Sequence, residues 1–170
     1  MLIILCGIPF SGKSKLAQEL VSRLEFERVD LDEVKFELFG TDIQDVQIRQ
    51  EGWDRVYQEM YRQIEAHLKD GKTVISDTGN FTKHERDLVR AIGKKQGVAV
   101  ITVFVDTPIE IAQNRLLENR KTKLRFDVAD EDFASTVAEM EPPTESERHL
   151  LYKHTDLIEQ WLAQNAQKLR

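Results

Sequence analysis

A three-layer α/β fold, with a parallel sheet of about five strands wrapped by helices, is what this sequence predicts. Three observations predict it. Short β-branched runs alternate with longer segments of helical period, and the stretch GIPFSGKS at 7–14 falls between the first strand and the first helix. The chain is also long and apolar enough, at 170 residues and 41% hydrophobic composition, to bury the core of one domain. One domain is expected over 1–170, with no repeat, linker or low-complexity segment.

Each element has a local reason. Leu2 to Cys6 is an apolar run of strand length, and Gly12 to about Leu24 follows as a helix with Leu16, Leu20 and Leu24 on one face. Phe26 to Asp30 is a weaker second strand. Trp53, Val56, Met60, Ile64 and Leu68 recur every three or four residues, which predicts one long helix that stops before Gly71. Thr73 to Ser76 is the third strand. Thr82-Lys-His-Glu85 has the form of a capping box, in which hydroxyl and carboxylate satisfy each other's backbone amides; it opens a helix to about Gln96, and Gly97 ends it. Val98 to Val105 is the strongest strand. Thr107-Pro-Ile-Glu110 opens the next helix with a second capping box and a proline in the first turn, and that helix ends near Arg120. Phe133, Val137 and Met140 mark a shorter helix, Pro142-Pro143 breaks it, His149 to Lys153 is a last short strand, and the C-terminus is helical.

Composition narrows the function. The formal net charge of −6 is spread over both signs at 32% charged residues, without the basic excess of a dedicated nucleic-acid binder, so compact ligands are favoured over polymers. Cys6 is the only cysteine and reads as a small core residue without a disulfide partner, which suits a reducing cytoplasm. No stretch is long and apolar enough to span a bilayer, and the opening run lacks the basic start and cleavage site of a signal peptide. A soluble cytoplasmic protein without a membrane partner is expected, its oligomeric state left open.

GIPFSGKS matches Gly-x4-Gly-Lys-Ser/Thr between a strand and a helix, the context in which such a loop holds phosphate. Gly7 and Gly12 let the backbone of Ile8, Pro9, Phe10 and Ser11 bend so that successive N–H groups face one anion. Lys13 neutralises β- and γ-phosphate oxygens, Ser14 offers a hydroxyl to Mg²⁺, and Lys15 follows in the first turn of the helix. Nucleotide binding alone does not name a reaction. No Asp-x-x-Gly follows a strand and no Asn-Lys-x-Asp occurs, which removes the marks of guanine-specific switches, and the chain is too short for a motor's added subdomain. A kinase acting on a small molecule or a nucleic acid remains.

Four stretches taken in order resemble one family: GIPFSGKS, VDLDEVK at 29–35, VISDTGNFTKHER at 74–86, and VFVDTPIEIAQNRLLENR at 103–120. Together they are similar to the P-loop kinases grouped with polynucleotide 5′-hydroxyl kinases, zeta toxins, chloramphenicol phosphotransferases and small AAA-domain-type kinases. The resemblance implies a P-loop NTPase fold of the nucleoside-kinase-like kind. It further implies an acceptor-binding helical region at about 31–70 and a lid at about 115–130. It places Asp32 as the base that takes the acceptor's proton and Lys35 against the acceptor. It puts Asp77, Thr78 and Asn80 at the acceptor edge, with Asp77 also a candidate for Mg²⁺ through a water. Arg115 and Arg120 become lid residues for ATP, with Arg120 the catalytic one.

The residues by themselves allow plainer roles. Asp30 or Asp32 is suited to cap the next helix, Asp77 to a strand-end turn, and the arginines to a solvated helix face. Lys121, Lys123 and Arg125 continue a basic strip toward Phe126, and Phe10 is placed to touch the acceptor. The acidic stretch Glu139 to Glu147 reads as an exposed loop. The resulting expectation is an ATP- and Mg²⁺-dependent kinase that phosphorylates a hydroxyl of a small molecule or nucleoside. A polynucleotide 5′-hydroxyl kinase is the runner-up, and a non-catalytic ATP-binding module is the rival from another class.

Overall fold

The computed structural model describes residues 1–169. Five strands form one sheet, β1 (Leu2–Cys6), β2 (Glu27–Asp30), β3 (Val74–Asp77), β4 (Val100–Asp106) and β5 (His149–Lys153), in the spatial order β2-β3-β1-β4-β5. Every pairing is parallel, as β1 with β3 (Ile4 beside Ser76), β1 with β4 (Cys6 beside Phe104), β2 with β3 (Asp30 beside Asp77) and β4 with β5. Helices α1 (Lys13–Leu24), α2 (Leu31–Phe39), α3 (Gln50–Lys69), α4 (Lys83–Lys95), α5 (Ile109–Thr122), α6 (Asp130–Glu139) and α7 (Ile158–Asn165) join and cover the strands. This is the α/β P-loop kinase fold.

Alternation along β1 explains the two layers. Successive side chains of a strand point to opposite faces. Ile3 and Leu5 pack with Leu16, Ala17 and Leu20 of α1 and with Trp161 of α7. Leu2 and Ile4 pack on the other face with Val34, Val56, Met60 and Ile64 from α2 and α3. All five β1 residues are therefore buried, as a central parallel strand requires. From β1 the chain runs to β2 on one side, while from β4 it runs outward to β5. The direction reverses beside the C-terminal end of β1, where open α/β sheets form their ligand crevice.

Several boundaries differ from expectation, each for a physical reason. The third strand ends on Asp77 rather than Ser76, because its register with β2 continues to the Asp30–Asp77 pair. The fourth begins at Val100, since Gly97 turns at φ 66 and the Val98 amide still donates to Gly93 O at 3.1 Å. The second begins at Glu27, and Phe26 packs into the core beneath α1 instead. The Thr82–Glu85 capping box forms, with Thr82 N donating to Glu85 Oε2 at 2.9 Å and Glu85 N to Thr82 Oγ1 at 3.2 Å. The second box does not: α5 has no side-chain cap, and the Thr107 hydroxyl donates to Ser11 O at 2.8 Å, bracing the phosphate loop instead.

The acidic stretch before β5 is also corrected. Glu147 is not an exposed loop residue. It is 4% exposed and accepts from Arg86 through Nε at 2.9 Å and Nη2 at 2.8 Å, and from Arg90 Nη2 at 2.7 Å. Arg86, itself fully buried, spends its remaining nitrogen on Asn80 O and Phe81 O, both at 3.1 Å. This network clamps the loop after β3 to the segment before β5. Hydrogen bonds from Arg86, then Arg90, against the opposing cost of burial, hold the Glu147 carboxyl down to about 2.

The sign of the resulting pH dependence follows directly. A carboxyl whose pKa is depressed by folding contributes stability above its unfolded value and loses it as pH falls toward the folded value. Acid unfolding should therefore contain a component between the ordinary value of 4.5 and about 2 that Glu147→Ala abolishes. Because that substitution strands a buried guanidinium, it should cost about 3–5 kcal/mol at neutral pH, read by urea denaturation. A loss below about 1 kcal/mol would mean that water already solvates the pair.

Candidate active site

The phosphate loop is built by β1 ending in Gly7 and α1 beginning after Gly12. Gly12, at φ 110, ends the bend in a conformation that side chains avoid. A Cβ on Gly7 would lie 2.8 Å from Val105 O and 2.9 Å from Ser11 Oγ, so only glycine fits there. Phe10 turns at φ 60 and packs at the edge of a small cluster of Ile8, Ala112, Leu116 and Phe133, which ties the loop to α5 and α6. Arg115 on α5 donates from Nη1 to Ser11 O at 2.7 Å and Phe10 O at 3.1 Å. Arg115 thus grips two carbonyls of the loop. Pro9 occupies the turn, and Lys15 stands exposed on the first turn of α1.

Lys13 Nζ donates to Gly7 O at 2.7 Å and Ile8 O at 2.9 Å and lies 5.7 Å from the centre of the Phe81 ring. Burial lowers its pKa to about 8, against the opposing charge of Asp77 and, more weakly, Asp32. Asp77 ends β3, the strand beside β1, and Asp32 lies in the first turn of α2. Ser14 lies beside it at the start of α1, with its Oγ 3.4 Å from Arg125 Nη2.

At the acceptor edge the structure separates Asp30 from Asp32. Asp30 is the cap of α2, its Oδ1 accepting from Asp32 N at 2.8 Å, and it also pairs with Arg28. The Asp32 carboxylate is left free of capping and mostly exposed, with Lys35 Nζ at 2.9 Å. Lys35 is not placed to meet an acceptor directly. It is 2% exposed, donates to Asp32 and, at 2.8 Å, to Asp45 Oδ1 of a short 3₁₀ turn, and is ringed by Phe36, Trp53 and Phe126 with centroids 4.7–5.9 Å away. Burial opposes its charge, but the hydrogen bonds it donates to Asp45 and Asp32 prevail and raise its pKa.

Asp77 is buried and accepts from Arg28 Nε at 2.8 Å, so Arg28 on the edge strand belongs to this site although nothing in its local sequence marks it. Thr78 and Asn80 follow. Asn80 is withdrawn from ligand reach: it is 3% exposed, sits at φ 46, and its Nδ2 donates to Leu5 O at 2.7 Å, which fastens the loop after β3 to β1.

The lid also differs from expectation. Arg120 does not turn to the loop; its guanidinium binds Asp127 Oδ1 at 2.9 Å, Val128 O at 2.8 Å and Asp130 Oδ1 at 2.8 Å, which closes the lid on itself. Arg125 takes the position facing the loop, its guanidinium 5.6 Å from the Phe10 ring centre and reaching Ser14. The chain gets there because Lys123 turns back at φ 54 and because Asn119, buried, accepts from Arg125 N at 2.9 Å and donates to Arg125 O at 3.0 Å. Phe126 then stacks on Phe36 with centroids 4.8 Å apart.

The loop fits a nucleotide triphosphate on its own geometry. Its turn is built on Gly7, where no added Cβ is tolerated, and on Gly12 at φ 110, and a lysine stands at its end. Ser14 Oγ is an oxygen of the kind that a partly hydrated Mg²⁺ would take, and Asp77, held by Arg28, is the carboxylate that could reach such an ion only through water. No cluster of three or more acidic, histidine or cysteine side chains suited to an all-protein metal site occurs among the described residues. Among the same residues no helix is long and apolar enough to cross a membrane.

A family model described as AAA domain matches residues 2–143. Shikimate kinase of Clostridium botulinum (strain Loch Maree / Type A3) is 28% identical over 116 residues, 68% of this chain. The chain spans less than two thirds of the first curated relatives it matches, 65% of that shikimate kinase and 6% of a pentafunctional AROM polypeptide of Scheffersomyces stipitis. Among solved structures, Chaetomium thermophilum Kti12 in complex with ADP-AlF3 aligns with a TM-score of 0.78 at 17% identity, covering 100% of both chains. The Mycobacterium tuberculosis APS kinase CysC, solved with AMPPNP and APS, aligns with a TM-score of 0.66 at 17% identity, over 99% of this chain and 95% of that one.

Proposed function

Since this chain belongs to the AAA domain family, we propose that it is an ATP-dependent kinase that moves the γ-phosphoryl group to a hydroxyl of a small molecule. The observation that carries this reading is the glycine-built loop of Gly7 to Ser14 at the C-terminal end of β1, with Asp77 buried at the end of the adjoining β3 and Arg125 reaching Ser14 from the lid.

In this reading the loop amides and Lys13 hold the β- and γ-phosphates, and Ser14 with Asp77 would hold Mg²⁺, which when bound neutralises phosphate oxygens. Asp32 accepts the proton of the acceptor hydroxyl as its oxygen bonds to the γ-phosphorus. The bridging bond to the β-phosphate breaks, and its electron pair leaves on ADP. Arg125 offsets the charge that spreads over the transferring group. Arg28 holds Asp77, and Arg115 grips the loop carbonyls. Phosphate affinity depends on a charged Lys13, and a lysine titrating at about 8 is charged below that pH and neutral above it. The second-order rate constant for ATP should therefore fall on the alkaline side with an apparent pKa near 8. A flat profile to pH 10 would contradict the role of Lys13.

The direct test supplies γ-labelled ATP, Mg²⁺ and a broad panel of hydroxyl compounds. Label in an organic phosphate ester supports the kinase reading, and label in inorganic phosphate alone would favour a nucleotide-binding module. Phosphorylated oligonucleotide 5′ ends, with steep salt dependence of binding, would favour a polynucleotide kinase. Arg125→Ala should lower the rate on the order of a hundredfold, while Arg120→Ala should act through lid stability with a smaller loss. The reverse order would restore Arg120 to the phosphate.

A further inference from the structure

We infer that the acceptor is a hydroxyl compound without negative charge, and that one carrying a protonated amine is accepted best. This rests on the kinase reading and adds the charge class of its substrate. The relatives named for anionic acceptors make the opposite class the natural expectation, so the edge itself has to decide.

Two cations stand at the acceptor edge among the described residues, and neither is presented to a ligand. Lys35 is 2% exposed at its side chain, whereas its two partners, Asp32 and Asp45, are 59% and 66% exposed. Arg28, at 15%, is shared among Asp77, Asp30 and Glu33, and Glu33 is 64% exposed. In the two Lys35 pairs and in Arg28–Glu33 the carboxylate faces outward and the cation lies behind it, whereas Asp30 and Asp77 are as buried as Arg28 itself. An incoming acceptor therefore meets oxygen anions first. A carboxylate or phosphate on that acceptor would be repelled by Asp32, Asp45 and Glu33 and would find Lys35 and Arg28 already paired, while an ammonium would gain partners.

The aromatic side chains point the same way. Phe36, Trp53 and Phe126 turn ring faces toward the cationic Lys35, and Phe126 keeps nearly half of its surface exposed beside the groove that runs from Gln44 to the lid. An exposed ring face attracts cations and apolar sugar or base faces and offers nothing to an anion. Of the other cations of that groove, Arg120 is held by Asp127 and Asp130 and Arg125 is turned to Ser14 and Phe10, whereas Lys123 stands exposed at the lid's turn and is the exception to the anionic edge.

The test uses the intact protein, γ-labelled ATP, Mg²⁺ and three pools of hydroxyl compounds matched in size. One holds amino sugars and amino alcohols, one uncharged sugars and nucleosides, and one sugar acids and sugar phosphates. Label should enter the amine pool fastest and the anionic pool at least about tenfold more slowly. Preferred labelling of the anionic pool would overturn the inference while leaving the kinase reading intact, and a fastest rate in the uncharged pool would overturn the preference for an amine. Label in inorganic phosphate alone, with every pool, would remove the kinase reading and the inference with it. The double substitution Glu33→Gln, Asp45→Asn supplies the second arm. By removing two of the exposed carboxylate charges, while Asp32 still pairs Lys35 and Asp30 and Asp77 still pair Arg28, it should shift the ratio of anionic to amine labelling by on the order of tenfold toward anions. An unchanged ratio would show that these carboxylates do not select the acceptor.

Discussion

Lys13→Ala should abolish phosphoryl transfer and weaken ATP binding together. The ammonium is asked to neutralise charge both in bound ATP and in the transition state, where it is greater, so the rate should fall by more than about 10³ and affinity by about tenfold. Its hydrogen bonds to Gly7 O and Ile8 O give the substitution a second effect, the loss of a brace across the loop. Lys13→Arg separates the two, since arginine keeps the charge but carries a wider, planar head that does not fit a site shaped for a compact ammonium. It should remain strongly impaired. The alkaline limb near pH 8 should vanish in either variant, because the group that titrates there is gone. Wild-type ATP affinity in Lys13→Ala, measured by calorimetry, would contradict the assignment of the phosphate loop.

The parts of this molecule that were legible in the sequence are those set by short-range pattern. The unbroken apolar run Leu2–Cys6, period three to four in Trp53–Leu68 and the Thr82–Glu85 box are each local patterns, and each has its predicted form. The phosphate loop was legible because its glycines are demanded by backbone geometry. What was not legible depends on pairings between distant segments. Glu147 looks like one acid among several until Arg86, 61 residues away, removes it from water. Arg28 looks like a polar residue of a weak edge strand until Asp77 is aligned beside it.

The lid failed for a different reason. Arg120 and Arg125 are both plausible by type, and the choice turns on where α5 ends, on the left-handed turn at Lys123 and on the grip of Asn119. Thr107 shows the converse case. The local motif for a capping box is present, yet its hydroxyl has a better partner in Ser11 O, a contact 96 residues apart that local reading does not contain. By sequence either Asp30 or Asp32 was suited to cap α2, Asp30 the more so, and the structure gives the cap to Asp30, which ends β2 beside Asp77.

That last distinction carries the second large effect. Because Asp30 already accepts from the backbone at the start of α2, Asp32 has no capping duty, and Asp32→Asn should leave the helix intact. Asparagine can still accept from Lys35, so the stability cost should stay near about 1 kcal/mol, a shift of a few degrees in melting temperature. ATP lies against the loop rather than against Asp32, so its affinity should be nearly unchanged. What asparagine lacks is a basic carboxylate oxygen for the acceptor's proton. If Asp32 performs that step, transfer should drop by a factor on the order of 10² to 10⁴. The decisive measurement is the rate at which γ-label from ATP enters the acceptor in Asp32→Asn, with ATP affinity and melting temperature recorded on the same sample. The account predicts a collapse of acceptor labelling beside near-normal binding and stability; labelling at the wild-type rate would contradict it.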